Sequence, residues 1–472
     1  MMHLQGKSVL ILGLGESGLA MAQWCARLGT KVSVWDSRAA PPRAATLAST
    51  VPQASRLDGA LTEAMLDGVQ LILKSPGLAP HDARIADAMH FAGQHRIPVQ
   101  GELDLFIDAL ANLKATLQYT PKILAITGTN GKTTTTSLTA LLVASTSKTV
   151  EMAGNIGPTL LGTLMQRLNN LPEVWVLELS SFQLHDVKNF NPSAATVLNI
   201  AQDHLDWHGS MEAYVGDKMR IFGPDTVAVV NRDETFTVPS QAKQVRFGLD
   251  APTTMGDFGL TTATDASWLV VATDAAPQAL LPANALRIRG RHNAANALAA
   301  LALARAIDCP LEPMLHALRE YGGEPHRVQL VRTVNDIEFY DDSKGTNVGA
   351  TVAALEGLGA DKAPAKLVLI LGGDGKGQDF APLASPLVRY ARAIATIGRD
   401  ASAIEAIISG VPYMRHATLE TATVWCFLQA QSGDAVLLSP ACASLDMFRN
   451  YAHRADVFVQ AAQDIAHENG ML

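Results

Sequence analysis

The chain is short of charge, of aromatic rings and of cysteine. Charged residues make up 17% and aromatic residues 6% of its 472 positions, against 48% hydrophobic residues. That balance excludes an intrinsically disordered chain, which needs high charge and little apolar content. The four cysteines, Cys25, Cys309, Cys426 and Cys442, are scattered and form no Cys-x-x-Cys pair. A thiolate zinc site and a redox motif are therefore unsupported, and buried free thiols in a reducing compartment are expected. Positive charge is also scarce: 37 Lys and Arg against 45 Asp and Glu give a net charge of −8. This speaks against a general nucleic-acid binder or a membrane-surface binder. No apolar run approaches the roughly 20 residues needed to span a bilayer. The start, Met1-Met2-His3-Leu4-Gln5-Gly6-Lys7, runs into a strand and has no signal-peptide core, so a cytoplasmic location is expected. An acidic protein that handles anionic ligands must concentrate positive charge locally, which makes single Lys and Arg residues in loops informative.

A chain of this length exceeds one hydrophobic core, so two or three domains are expected. Strand-like runs alternate with helical patterns throughout, which predicts α/β layers with largely parallel sheets. Three units are read at 1–113, 114–322 and 323–472: a Rossmann-like domain, a phosphate-loop α/β domain and a second Rossmann-like domain. In the first, Ser8-Val9-Leu10-Ile11-Leu12 precedes a glycine turn and a helix through Leu28, and Lys31–Trp35 and Leu71-Ile72-Leu73-Lys74 are further strands. Residues 109–121 read as a linker. In the second, strands are expected at 123–126, 174–177, 195–198 and 227–230, with short strands over 250–285 and a helix over 294–306. In the third, strands at 366–371, 393–397 and 435–438 each run into a Gly- or Ser-rich turn. Ligands of open α/β sheets sit at such carboxyl ends.

The strongest motif is Ile126-Thr127-Gly128-Thr129-Asn130-Gly131-Lys132-Thr133-Thr134. A strand feeds a glycine turn and a helix begins at Lys132. The backbone N–H groups of such a helix start cradle phosphate, a lysine reaches the β- and γ-phosphates, and a hydroxyl ligates Mg²⁺. The common pattern wants a glycine five residues before Gly131, and Ile126 stands there. A second turn, Gly13-Leu14-Gly15-Glu16-Ser17-Gly18 with Asp36 at the end of the next strand, has the form of a dinucleotide fingerprint. It suits a UDP-type diphosphate or a nicotinamide dinucleotide, and Ser37 and Arg38 lie within reach of either.

Glu178 ends an apolar strand, where a carboxylate needs a partner or a metal; capping the next helix is the plainer alternative. The run Asn199-Ile200-Ala201-Gln202-Asp203-His204-Leu205-Asp206-Trp207-His208-Gly209 packs titratable groups after a strand, which favours metal or phosphate work over a structural histidine. Over residues 210–222 an apolar stripe falls at Met211, Val215, Met219 and Phe222, with Lys218 on it. An inward lysine must shift its pKa, pair, be modified, or snorkel outward. Further candidates follow strands in the last third: His326-Arg327, Asp342-Ser343-Lys344-Gly345-Thr346-Asn347, Gly372-Gly373-Asp374-Gly375-Lys376-Gly377 and Leu438-Ser439-Pro440-Ala441-Cys442-Ala443-Ser444. A helix starting at about Ser444 would present its N-terminus to a carboxylate.

Together these residues resemble the Mur ligase family, ATP-dependent amino-acid ligases of bacterial peptidoglycan precursors, over essentially the whole chain. The loop at Gly128 is shared with folylpolyglutamate synthases. The runs from Glu178 to Leu184, Asp342 to Asn347, Gly372 to Gly377 and Leu438 to Ser444 are similar to the branch that adds D-glutamate. The resemblance implies a ligase joining D-glutamate to UDP-muramoyl-alanine through an acyl phosphate. It implies that Gly13, Leu14, Gly15, Glu16, Ser17, Gly18, Asp36, Ser37, Arg38 and Gly77, with Ser180 and His204, receive the UDP substrate. Gly128, Thr129, Asn130, Gly131, Lys132, Thr133, Thr134, Asn155, Asn293, Asn296, Arg327 and Asp342 would take ATP. Thr346, Lys376, Ser444, Leu445 and Tyr451 would take D-glutamate, with Lys344 alongside. Two Mg²⁺ ions would rest on Thr133, Glu178, His204 and a carbamylated Lys218. Lys132, Glu178, His204, Lys218 and Lys344 would be catalytic. A monomer acting on small molecules is expected, with no nucleic acid and no membrane insertion. A pterin-linked ligase, a nicotinamide-dependent oxidoreductase on Gly13–Gly18, and a nucleotide-binding module without turnover are the alternatives.

Overall fold

The computed structural model describes residues 4–235, 243–263, 266–288 and 290–470, and its strands form three sheets among these residues. The opening residues 1–3 and part of the 250–285 stretch, residues 264–265, lie outside the described set. The first sheet is parallel and runs Ser55–Leu57, Lys31–Trp35, Ser8–Leu12, Leu71–Lys74, Val99–Gln100. The glycine-turn strand thus lies between the strands that end at Trp35 and Lys74. Strands this short read as unbroken apolar runs because helices cover both faces.

The central sheet places Lys122–Thr127 between Val174–Glu178 and Ala194–Val197, all parallel. The expected short strands are present as Phe258–Ala263, Ala266–Val271 and Gln278–Pro282, joined antiparallel at the far edge. The alanine-rich helix Arg291–Arg305 packs against Lys132–Ala144, since small side chains let two helices approach closely. In the third sheet Leu367–Gly372 is buried along its whole length between Ala435–Leu438 and Ala391–Ile397. Mixed α/β order around three sheets matches the fold class read from the sequence.

Three local expectations change. Residues 109–121 are mostly not a linker: the helix Glu102–Leu117 spans them, with Ala109, Leu110 and Leu113 buried against the core shared by the first two sheets. Its apolar residues recur at helical spacing, a signal the linker reading passed over. The turn after Leu438 does not open a helix at Ser444. It makes a single helical turn there, and the helix starts at Tyr451 with Asn450 as cap. Finally, Lys218 does face inward, but on a different stripe. The helix Met211–Met219 buries Tyr214, Asp217 and Lys218, while Met211, Val215 and Met219 are half-buried. Polar side chains occupy the inner face because polar partners await them there.

Candidate functional site

The central glycine turn is held from several sides. Gly128 and Gly131 both have positive φ, and a Cβ on Gly131 would meet Asn296 Oδ1 at 2.4 Å. No side chain fits there, so the asparagine stands directly over the turn. Asn296 donates to Asn293 Oδ1 (3.1 Å), which confirms their shared helix face. Asn199 pins the turn from the neighbouring strand: its Oδ1 accepts from Asn130 N (2.8 Å) and its Nδ2 donates to Asn130 O (3.1 Å). Lys132 Nζ donates back to Gly128 O (2.7 Å) and Thr129 O (2.8 Å). Burial draws its pKa down, against the upward pull of Glu178.

Glu178 is buried at the strand end beside this turn. Its Oε1 accepts from Asn155 Nδ2 (3.1 Å), whereas Oε2 has no hydrogen-bond partner among the described residues. The capping alternative fails, because Ser180 caps the next helix and Gln183 closes the capping box. A buried, half-satisfied carboxylate is costly on its own and suits a cation. Lys218 Nζ donates to Gly128 O (2.9 Å) and lies 4.6 Å from the Tyr214 ring centroid. Burial and then the nearby Lys132 lower its pKa well below that of an ordinary lysine, and Asp203, Asp217 and Glu178 oppose this. His204 has left-handed backbone (φ 54) and meets the Phe182 ring edge-on at 4.7 Å. Burial lowers its pKa, Asp203 raises it, and Lys376, Lys132 and Lys218 lower it further. The charge of Glu178 is felt at Lys132 and Lys218, and theirs at His204, so these groups lie near the turn that carries Thr133. Among the described residues no three His, Cys, Asp or Glu side chains form a ready metal cluster. A cation held by these residues would have to draw on a hydroxyl, one carboxylate, one imidazole and Lys218.

The last domain reaches this turn. Arg327 Nη2 donates to Thr133 Oγ1 (3.0 Å), and Asn347 Nδ2 donates to Asn130 Oδ1 (3.2 Å). One cavity is lined by Asn130, Thr134, Asn293, Asn296, Arg327 and Asp342. Asp342 accepts from Ser439 Oγ (2.6 Å); burial pushes its pKa up to about 7 against that bond. Lys344 lies 5.4 Å from the Tyr451 ring centroid, and burial, then Arg327, lowers its pKa to about 8. The loops carrying Lys376 and Ser444 are laced together, Asp374 N to Ala443 O (3.0 Å) and Ala443 N to Asp374 O (2.8 Å). Ser444 is buried, but Leu445 is 73% exposed. The structure thus sets the Lys376 and Ser444 loops side by side and Lys344 beside Tyr451.

The N-terminal glycine turn forms a separate cavity of about 430 Å³, lined by Gly13, Gly15, Glu16, Ser17, Asp36, Ser37, Arg38, Gly77 and Arg84. Gly18 packs instead: a Cβ there would meet Gly13 O at 1.9 Å. Asp36 accepts from Leu14 N (2.6 Å) and from Arg38 N, Nε and Nη2. Its bond with Arg38 holds its pKa down at about 2. In a dinucleotide site that acid takes the ribose hydroxyls. Here its side chain is 4% exposed and already occupied, which weighs against the nicotinamide alternative. Ser180 and His204 lie in the central domain, apart from this cavity.

Comparison with known proteins now decides the family. Residues 7–96 match the family model described as Mur ligase MurD-like, N-terminal domain; 126–304 match Mur ligase middle domain; 326–442 match Mur ligase, glutamate ligase domain. The UDP-N-acetylmuramoylalanine--D-glutamate ligase of Albidiferax ferrireducens is 54% identical, covering 99% of this chain and 98% of its own. The ligase of the same name from Burkholderia thailandensis is 53% identical over the same shares. The chain belongs to the Mur ligase family. The solved MurF ligase from Thermotoga maritima in complex with ADP shares the fold, with a TM-score of 0.62 at 16% identity over 98% of this chain and 96% of that one.

Within this Mur ligase, several site residues escaped the sequence reading. Asp217 Oδ2 accepts from His185 Nδ1 (2.8 Å) and His208 Nδ1 (2.9 Å), and His208 Nε2 bonds Ser181 Oγ (2.9 Å). This network ties together the segments bearing Glu178, His204 and Lys218. Burial would raise the Asp217 pKa, but the two histidines hold it at about 2. Arg454 is buried and donates to Ser343 O (2.7 Å) and Cys442 O (3.1 Å), bracing two loops of the Mur ligase C-terminal domain. A charged residue on a helix face otherwise filled by Ala455, Phe458, Ala462 and Ile465 was the available signal.

Proposed function

We propose that the chain is an ATP-dependent ligase that joins D-glutamate to the alanyl carboxylate of UDP-N-acetylmuramoyl-alanine, releasing ADP and phosphate. The observation that carries this is the convergence of Glu178, Lys132 and Lys218 of the central domain with Arg327 of the last domain on one glycine turn. Full-length identity of 54% with a ligase of that name supports the choice of amino acid. In this reading residues 1–113 hold the UDP moiety, 114–322 hold ATP and 323–472 receive D-glutamate, with Glu102–Leu117 bridging the first two.

A carboxylate is a poor electrophile at neutral pH. One carboxylate oxygen attacks the γ-phosphorus, the bond to the β-phosphate oxygen breaks, and ADP leaves an acyl phosphate. The D-glutamate amine then attacks the acyl carbon, phosphate leaves, and the nitrogen gives up a proton. Lys132 and the N–H groups of residues 131–134 would meet the charge that grows on the transferred phosphoryl group. Arg327, already on Thr133, would add a second cation. Divalent metal, when bound by Thr133, Glu178, His204 and a carbamylated Lys218, supplies charge neutralisation to the same oxygens. The unpartnered Glu178 Oε2 and the burial of Lys218 support that donor set. Lys344 and Tyr451, beside Asp342, would present the incoming amino acid, and closure over the turn would keep water from the acyl phosphate. Residues of the central and last domains meet on one turn within one chain, which supports a single chain as the working unit, and buried free cysteines suit a cytoplasmic enzyme. Among the described residues no helix is long and apolar enough to cross a membrane.

The test is an amino-acid panel in an ATP-dependent phosphate-release assay with the UDP acceptor and Mg²⁺. D-glutamate is expected to support turnover; equal rates with L-lysine or diaminopimelate would sink the assignment. For Lys218, Lys218→Ala should cripple turnover and be partly restored by short carboxylic acids. Full activity of that variant would rule out the carbamate.

A further inference from the structure

The N-terminal cavity is built from a motif that occurs twice. Asp36-Ser37-Arg38 follows the strand Lys31–Trp35, and Asp82-Ala83-Arg84 comes after Leu71–Lys74. These two strands flank Ser8–Leu12, so the two tripeptides stand on either side of the Gly13–Gly18 turn. Their hydrogen bonds are the same. Asp36 Oδ1 takes Arg38 N at 2.9 Å and Nε at 2.8 Å, and Oδ2 takes Nη2 at 2.7 Å. Asp82 Oδ1 takes Arg84 N at 2.9 Å and Nε at 2.8 Å, and Oδ2 takes Nη2 at 2.5 Å. Across the cavity, Arg84 Nη1 donates to Ser37 Oγ (3.0 Å), joining one clamp to the other.

Stability does not explain this arrangement. The Arg84 side chain is 59% exposed, and ion pairs that open to water contribute about 0–1 kcal/mol at most. What the clamp does achieve is to fix a long side chain in advance, so that little rotamer freedom is left to lose when a ligand arrives. Each guanidinium keeps outer N–H groups beyond those its aspartate uses. The floor between them is the start of the helix Glu16–Arg27, whose N–H groups favour an anion. We propose that Arg84 is a second diphosphate-binding cation of the UDP subsite, paired with Arg38 and preset by Asp82. The inference rests on the UDP-linked acceptor proposed above and assigns a role to a residue that no motif marked.

The experiment is calorimetric titration of the full chain with UDP, UMP and uridine, alongside acceptor kinetics. Arg84→Gln is expected to raise the UDP dissociation constant about tenfold, UMP less, and uridine not at all. Added salt should weaken UDP binding more in the wild type than in the variant. The KM for the UDP acceptor should rise while kcat and the KM values for ATP and D-glutamate stay within about twofold. Asp82→Asn, which leaves the Arg84 cation in place and loosens its clamp, should give a smaller loss of about threefold. If Arg84→Gln binds UDP like the wild type, or loses uridine as strongly as UDP, the Arg84 assignment is overturned. If the wild type itself fails to bind UDP, the acceptor reading falls with it.

Discussion

Two glycine turns in this molecule look alike in sequence and behave differently in space. Each follows a strand and opens a helix. At Gly13–Gly18 the cavity is lined by residues between 13 and 84 alone, and the cations Arg38 and Arg84 stand on an exposed rim, each held by its own aspartate. At residues 128–134 Lys218 is buried and Lys132 and Arg327 are half-buried, and the partners come from three regions: Asn199 69 residues from Asn130, Lys218 90 residues from Gly128, and Arg327 194 residues from Thr133. Recognition tolerates water, so a rim of preset arginines suffices. Phosphoryl transfer needs a dry site where electrostatics are strong, and a dry site has to be enclosed by more than one domain.

Lys132→Met should separate the turns most sharply. It is expected to lower turnover by about 10³-fold or more while UDP affinity, measured by titration, stays unchanged. A matching loss of UDP binding would mean that the two sites are coupled. Glu178→Gln comes next, with a fall of about 10²-fold in kcat and a higher Mg²⁺ requirement. The same variant should melt no lower than the wild type without metal, because it removes a buried carboxylate whose Oε2 has no partner. A strong loss of melting temperature would assign Glu178 a structural role.

Glu102 tests the junction between the two turns. It begins the bridging helix and accepts from Leu161 N (2.9 Å), and burial pushes its pKa up to about 7. A folded-state pKa above the unfolded value means the native state holds the proton more tightly. Relative stability is then fullest below the unfolded pKa and falls as pH rises through about 7. Glu102→Gln should therefore gain on the wild type between about pH 4.5 and 7, by up to about 3 kcal/mol, in paired urea melts. A constant difference across that range would contradict the burial argument. Smallest is Arg38→Ala, expected to weaken UDP about tenfold with ATP kinetics intact. If ATP binding weakened equally, the division between the turns would not hold.

Much of this was legible beforehand because it is local. Strands at Lys31–Trp35, Leu71–Lys74 and Ala435–Leu438 read from apolar runs bounded by turns, and the helix at Lys132 follows from its glycine turn. The paired Asn293 and Asn296 follow from helical spacing alone. Errors arose where local signals compete: the linker that is a helix, and the helix at Ser444 that is one turn.

By itself the sequence determined the α/β class, the order of the elements and both glycine turns, since each depends on periodicity or on residues within a few positions. Only the tertiary structure decided that Asp36 is consumed by Leu14 and Arg38, that Glu178 keeps one oxygen without a partner, that Asp217 gathers two histidines, and that Arg327 rests on Thr133. Those facts depend on which groups are left to satisfy one another once the sheets have packed, and separation along the chain carries no record of that.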